Sequence, residues 1–278
     1  MERTIVKLNF LSPIHIGNRS LGDSEYEIKA DTLFSALCIE SGDIDKVLRE
    51  VREKGLRISD ALPFIDEFYY IPKPMIYIEQ KEENYKLFKK INYITEDTLD
   101  FFLKGELYPE DELENFILGE SDIRTRVAIG GDPYQVGTFT FNKNAGLYVI
   151  VEHTSDYIFE VFERLQYSGL GGKRSSGLGR FSFTLEPCYD FPQGDKKILL
   201  NTAMAKEDEL EEALRGANYL LQKRAGFIHE SNYKKQDFYS FKAGSVFVNT
   251  FQGDIFDVGN DQHPVYRYCL PMFMGVNI

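Results

Sequence analysis

Gly169-Leu-Gly-Gly-Lys-Arg-Ser-Ser-Gly-Leu-Gly-Arg180 carries five glycines, three cations, two serines and no acid. Its neighbours decide what kind of fold it belongs to. Before it, Ile158, Val161, Phe162 and Leu165 recur at the spacing of one helical face, with Thr154 or Ser155 as the expected N-cap. After it, Phe181, Phe183 and Leu185 alternate with Ser182, Thr184 and Glu186, the period-two pattern of a strand. This helix-to-strand setting excludes the dinucleotide-binding fingerprint, which follows a strand and opens a helix. A Walker A loop is excluded too, because Arg174 follows Gly172-Lys173 where Ser or Thr is required. The composition suits a sugar-phosphate backbone. Gly171 and Gly172 let main-chain amides approach a phosphate, Lys173 and Arg174 bring charge, and Ser175 and Ser176 bring donors. A mobile loop with solubilising charges has a similar composition, but five glycines argue against it.

Working outward, Leu147, Val149 and Val151 alternate as a strand ahead of that helix. At the start of the chain, Val6, Leu8 and Phe10 alternate with Lys7 and Asn9 until Pro13, and a polar loop from Gly17 to Glu27 follows. Leu33, Ala36 and Leu37 then predict a helix with Asp31 as N-cap, and Ile44, Val47, Leu48 and Val51 predict a second one stopped by Gly55. Between Ile58 and Phe141 the pattern loses regularity. Short aromatic runs such as Phe68–Ile71, then prolines at 72 and 74, read as insertions projecting from a core domain. Strand, helix, irregular strands, strand, helix, glycine loop, strand predicts an α+β fold, an elaborated ferredoxin-like (RRM-like) βαββαβ domain over residues 1–190. A boundary between Pro187 and Asp195 opens a second unit, residues 191–278. It has a strand-like Ile198-Leu-Leu200, a helical stretch near Glu207 to Leu214, and strand-like runs around Val246 and Phe273, and is expected to be a degenerate second RRM-like domain.

The chain of 278 residues is 43% hydrophobic and 14% aromatic, enough for a packed core. No apolar run approaches a membrane span and the N-terminus lacks a signal-peptide layout, so a soluble, cytoplasmic protein is expected. Cys38, Cys188 and Cys269 are widely separated, and His153, His229 and His263 lack ligand spacing. Neither a metal, a cofactor nor a disulfide framework is therefore expected. The net charge of -12 opposes nucleic-acid binding by the body as a whole, yet the charge is segregated. Acids crowd Glu96 to Asp122, whereas Gly169 to Arg180 has none.

Arg124 and Arg126 sit two apart, so a strand would point both toward one anion; paired surface arginines are the alternative. From Ala128 to Phe139, Gly130, Gly131 and Gly137 accompany Tyr134 and Phe139. Either a thumb offering stacking platforms to RNA bases or a plain hairpin fits. His15 has the chemistry of a proton-transfer residue, but no second catalytic partner accompanies it.

The glycine-rich basic loop between a last helix and a last strand resembles the signature of the RAMP superfamily of CRISPR effector proteins. Phe10-Leu-Ser-Pro-Ile-His-Ile-Gly17, Ile28 to Leu37, Ala243 to Phe247 and His263 to Arg267 are similar, in order, to the fourth-subunit family of the type III-A (Csm) complex. Residues 75 to 122 add little, and Cys269 stands where glycine is expected. The resemblance implies a non-catalytic subunit that holds the 5′ tag of the guide RNA (crRNA). It also implies docking to a large polymerase/cyclase-like subunit and to the backbone RAMP subunit, with no membrane. It carries RNA contacts onto Gly171, Gly172, Lys173, Arg174, Ser175 and Ser176, and onto His15, Gly17, Arg124 and Arg126. Related RAMP proteins cleave CRISPR repeats without metal, so a ribonuclease using His15 is the alternative. A nucleotide-binding metabolic enzyme has only the glycine loop in its favour.

Overall fold

The computed structural model describes residues 1–18, 20–78, 85–127, 130–228, 233–259 and 264–277. Position 19 of the expected polar loop, His229, His263 and the start of the glycine-containing stretch at Ala128 lie outside the described residues. The first part of the chain runs β1 (Glu2–Phe10), β2 (Ile16–Asn18), β3 (Ser20–Glu25), α1 (Ala30–Ser41), α2 (Ile44–Arg52), β4 (Arg57–Ile58), β5 (Leu62–Ile65), β6 (Phe68–Pro72), α3 (Tyr85–Phe88), β7 (Tyr93–Thr95), α4 (Glu96–Leu103) and α5 (Pro109–Asn115). It continues with β8 (Gly119–Val127), β9 (Pro133–Phe141), β10 (Ala145–His153), α6 (Tyr157–Ser168) and β11 (Phe181–Pro187). The remainder holds β12 (Lys196–Leu199), α7 (Leu210–Leu214), β13 (Leu221–Arg224), β14 (Phe238–Phe241), β15 (Val246–Phe247), β16 (Ile255–Asp257), β17 (Tyr266–Tyr268) and β18 (Phe273–Val276).

The central sheet has the order β11-β1-β10-β5-β6-β7, with β4 also paired to β10. β1 lies antiparallel between β10 and β11, pairing Val6 with Val149 and with Leu185. Both faces of this sheet are covered. Val6, Leu8, Leu147, Val149 and Val151 pack with Leu33, Phe34 and Leu37 of α1, Val47 and Val51 of α2, and Phe162 and Leu165 of α6. On the opposite face Ile5, Tyr148 and Ile150 pack with Ile198, Leu200, Met272 and Met274 of the second part, and with Leu99 and Phe102 of α4. Double burial explains why β10 is apolar almost throughout instead of alternating. In the second part, β12 lies between β15 and β18. No helix among the described residues is long and apolar enough to cross a membrane.

Several expectations need correction. The polar loop from Gly17 to Glu27 contains the β2–β3 hairpin, which packs against β9 where Gly137 leaves room for the Gly22 carbonyl. Leu62–Ile65 is not part of a projecting insertion but a buried strand of the central sheet, paired with β10. Ile44 is exposed, and only Val47, Leu48 and Val51 of its predicted face are buried. Neither Thr154 nor Ser155 caps α6, whose N-cap is Asp156; Thr154 Oγ1 donates to the Lys54 carbonyl and Ser155 Oγ to the Glu50 carboxylate.

Asp31 does not cap α1 either. The N-cap is Lys29, without a side-chain cap bond, and the Ala30 amide instead donates to Asp60 Oδ1 at 2.7 Å. Asp31 points from the first turn into the seam with the second part. There it accepts from Arg224 Nε at 3.0 Å and Nη2 at 2.7 Å, and from Arg267 Nη1. Asp60 reaches the same seam, accepting from the Thr202 amide at 2.8 Å and its hydroxyl at 3.1 Å. Buried polar groups thus bind the two parts of the chain in a fixed relation.

Candidate nucleic-acid interface

The loop after α6 is folded against the segment after β1. Gly179 N–H donates to the Pro13 carbonyl at 2.9 Å, Gly172 N–H to the His15 carbonyl at 2.7 Å, and Leu170 N–H to the Gly179 carbonyl at 2.9 Å. Leu170 and Leu178 are buried as anchors. Between them a short turn, Arg174–Ser176, is flanked by Lys173 and Gly177, both left-handed with φ of 58° and 80°. The glycines therefore serve close packing as much as access: the Gly172 amide faced to the expected phosphate is already bonded within the protein. At Gly179, with φ of 77°, a Cβ would lie 1.9 Å from the Leu170 carbonyl oxygen. Gly179→Ala should destabilise the fold by about 1–3 kcal/mol and weaken any ligand held by the loop, as read by thermal melting and binding. An unchanged melting temperature would show that the loop refolds without cost.

The side chains of Arg174, Ser175 and Ser176 make no hydrogen bond or ion pair among the described residues, and Ser175 and Ser176 are exposed. Lys173 Nζ stands 5.2 Å from the centre of the Tyr134 ring, within cation–π reach. Tyr134 lies directly across the β8–β9 hairpin from Arg126, and Val136 from Arg124, so both arginines share the face that meets Lys173. Arg124 also reaches Asp122, with Nε 3.5 Å from Oδ2. The hairpin thus brings Arg124 and Arg126 to the same side as the loop.

His15 is buried beneath the loop, its Nδ1 2.7 Å from the Gly137 carbonyl oxygen. A ring nitrogen donating to that carbonyl fixes the imidazole between the two hairpins. No titratable side chain bonds it among the described residues, and there no three of His, Cys, Asp and Glu gather as a metal site. Gly17 is in ordinary contact, a Cβ there meeting His15 Nε2 at 3.5 Å.

His15, Gly17, Gly171, Gly172 and Arg174 line one groove of about 440 Å³. Its opposite wall was not anticipated from the sequence: Arg224, Phe227 and Lys235 of the second part, and Lys29 ahead of α1. Burial comes first, and the charge of Arg267 second, in pushing Lys235 below the usual lysine range. Arg224, Arg267 and Lys235 thus lie near one another, with the Asp31 carboxylate between the two guanidiniums. Phe227 is 59% exposed beside them, a free aromatic face of the kind that stacks on bases. Lys223-Arg224 and Lys234-Lys235 flanking Phe227 were the available sequence signal.

Comparison with known proteins adds to this geometry. A family model described as CRISPR Csm4 C-terminal domain matches residues 192–276. The "CRISPR system Cms protein Csm4" of Streptococcus thermophilus is 35% identical over 95% of this chain and 96% of its own. The protein of that name from Mycobacterium tuberculosis is 36% identical, with 94% of each chain covered. Among solved structures, chains of Csm complexes resemble the fold. One from a Csm3-Csm4 subcomplex of the type III-A CRISPR-Cas interference complex has a TM-score of 0.68 at 18% identity, with 100% of both chains covered. Another, in a Csm1-Csm4 cassette with AMPPNP, has a TM-score of 0.63 at 19% identity, covering 99% of this chain and 98% of its own.

Proposed function

This chain belongs to the Csm4 family of CRISPR-system proteins, and from that membership we propose that it is a non-catalytic, guide-RNA-binding subunit of a type III-A effector complex. The observation that carries the reading is the groove. Arg174, whose guanidinium has no hydrogen-bond or ion-pair partner among the described residues, lines it opposite Arg224, Lys235 and an exposed Phe227, with Ser175 and Ser176 exposed next to it in the loop. Phosphates are met by the charged groups, and splayed bases by aromatic faces such as Tyr134 and Phe227. The segment taken is the repeat-derived 5′ tag, while target recognition is left to base pairing by the guide. The site residues of this reading are His15, Gly17, Arg124, Arg126 and Gly171 to Ser176, joined by Arg224, Phe227 and Lys235.

Likeness to chains solved as Csm3-Csm4 and Csm1-Csm4 pairs supports two protein partners, a backbone RAMP subunit and the large polymerase/cyclase-like subunit. The two-domain reading, 1–190 and 191–278, belongs here too. The strand order β11-β1-β10-β5, with α1 and α6 as crossovers, supports a ferredoxin-like first domain. The three-stranded β15-β12-β18 sheet is read as the reduced remnant of a second.

A direct test is binding of the purified full chain to labelled RNA bearing its cognate tag, beside a scrambled RNA, in chelator, with the RNA recovered on a denaturing gel. Tag-preferring binding of intact RNA is expected. A discrete cut lost in His15→Ala would replace this reading with a metal-independent repeat ribonuclease.

A further inference from the structure

Beyond Glu27 and Lys29, on the far side from the glycine loop, lies a second cavity of about 280 Å³. It is bounded by Lys73, Met75, Lys89, Ile91, Asn92 and Tyr93 and by Leu220, Lys242 and Ala243 of the second part. Four lysines line it: Lys29, Lys73, Lys89 and Lys242. The carboxylate there, Glu27, is already engaged, accepting from Lys29 Nζ at 2.5 Å and from the Tyr93 hydroxyl at 2.9 Å. Among the described residues, Lys73, Lys89 and Lys242 pair with no carboxylate; Lys73 donates only to the Phe88 carbonyl.

Crowding unpaired ammonium groups around one cavity is unfavourable unless an anion neutralises them. Burial first, and then the charge of Lys242, push Lys73 below the usual lysine range. The volume falls below the roughly 300–1,000 Å³ of pockets that enclose whole drug-sized ligands. It suits a phosphate with its sugar. Glu27 and Lys29 line both this cavity and the glycine-loop groove, so the two lie on either side of that pair.

We infer that the lysine-lined cavity holds a backbone phosphate of the same RNA that occupies the groove, one strand passing over Glu27 and Lys29 from one to the other. This inference rests on the RNA-binding reading above and extends its footprint to a site formed by Lys73, Lys89 and Lys242.

The test compares the wild-type chain with Lys73→Gln/Lys242→Gln, which removes two charges and leaves a polar side chain one bond shorter, and with Lys173→Glu/Arg174→Glu. Affinity for the tag RNA is measured across a salt series. The lysine variant is expected to bind about tenfold or more weakly, with its salt slope flattened by about 1.4, or 0.7 per lost single-strand contact. Loss in the loop variant alone would overturn the cavity as an RNA site while leaving the groove reading intact. Loss in the lysine variant alone would remove the groove and overturn the path from one to the other, and no change in either would overturn both. A parallel melting series with millimolar inorganic phosphate separates the sources of the anion. If phosphate stabilises the wild type but not the lysine variant, and RNA affinity is equal in both, the cavity takes a free anion and the RNA inference is overturned.

Discussion

Reversing both loop charges, Lys173→Glu with Arg174→Glu, lowers affinity for the tag RNA by roughly two orders of magnitude or more, since charge-assisted contacts contribute about 1.5–3 kcal/mol each. The loss falls across tag sequences alike, because phosphate contacts carry no sequence information directly. The slope of log affinity against log salt should flatten by about 0.7 for each contact removed. Fold stability should hardly change. Both side chains project from a turn anchored by Leu170 and Leu178, and neither forms an ion pair among the described residues. Tyr134 loses its cation partner in this variant, so bases stacked on that ring should be released as well. An unchanged salt slope would remove Lys173 and Arg174 from the RNA site.

Asp31→Asn should lower the melting temperature by about 10 °C, the shift expected when breaking a buried ion pair costs about 3–5 kcal/mol in a chain of this size. The carboxylate is the anion shared by the Arg224 and Arg267 guanidiniums, and Arg267 Nε is already a buried donor without a partner. Losing the negative charge leaves two guanidiniums facing each other in the seam. Burial alone would raise the Asp31 carboxyl, but Arg224 and then Arg267 outweigh it and hold it below the ordinary carboxylate range. Its stabilisation is thus complete above the unfolded value near 4 and lost as pH falls through the lower folded value. The wild type should lose melting temperature more steeply than Asp31→Asn below about pH 4. Parallel acid profiles would show that the carboxylate contributes nothing to holding the seam. Because Arg224 also lines the groove, this substitution should weaken RNA binding even at temperatures where the fold survives.

Elements set by local pattern were legible from the sequence: β1, the buried face of α2, α6 and the turn into β11 follow periodicity and glycine placement, and β10 its apolar run. What escaped depends on partners remote in the chain. Asp31 has the composition of a cap, yet its role is decided by Arg224 and Arg267, and the capping bond to Ala30 comes from Asp60. Leu62–Ile65 is buried on both faces, so it shows no alternation, and Pro63 within it reads as a break. The loop side of the groove was visible because composition and setting coincide there. The wall made by Arg224, Phe227 and Lys235 was not, because only the packing of β13 and its following segment beside α1 brings those residues to the loop.

The most direct test of the account is photocrosslinking of the full chain to tag RNA carrying 4-thiouridine at successive positions, with the attached peptides identified by mass spectrometry. Adducts are predicted on Tyr134, on Phe227 and within the 169–180 loop. Adducts confined to the acidic cleft lined by Glu160, Glu163 and Glu186, with none around the groove, would contradict the claim that the glycine-rich loop holds the guide.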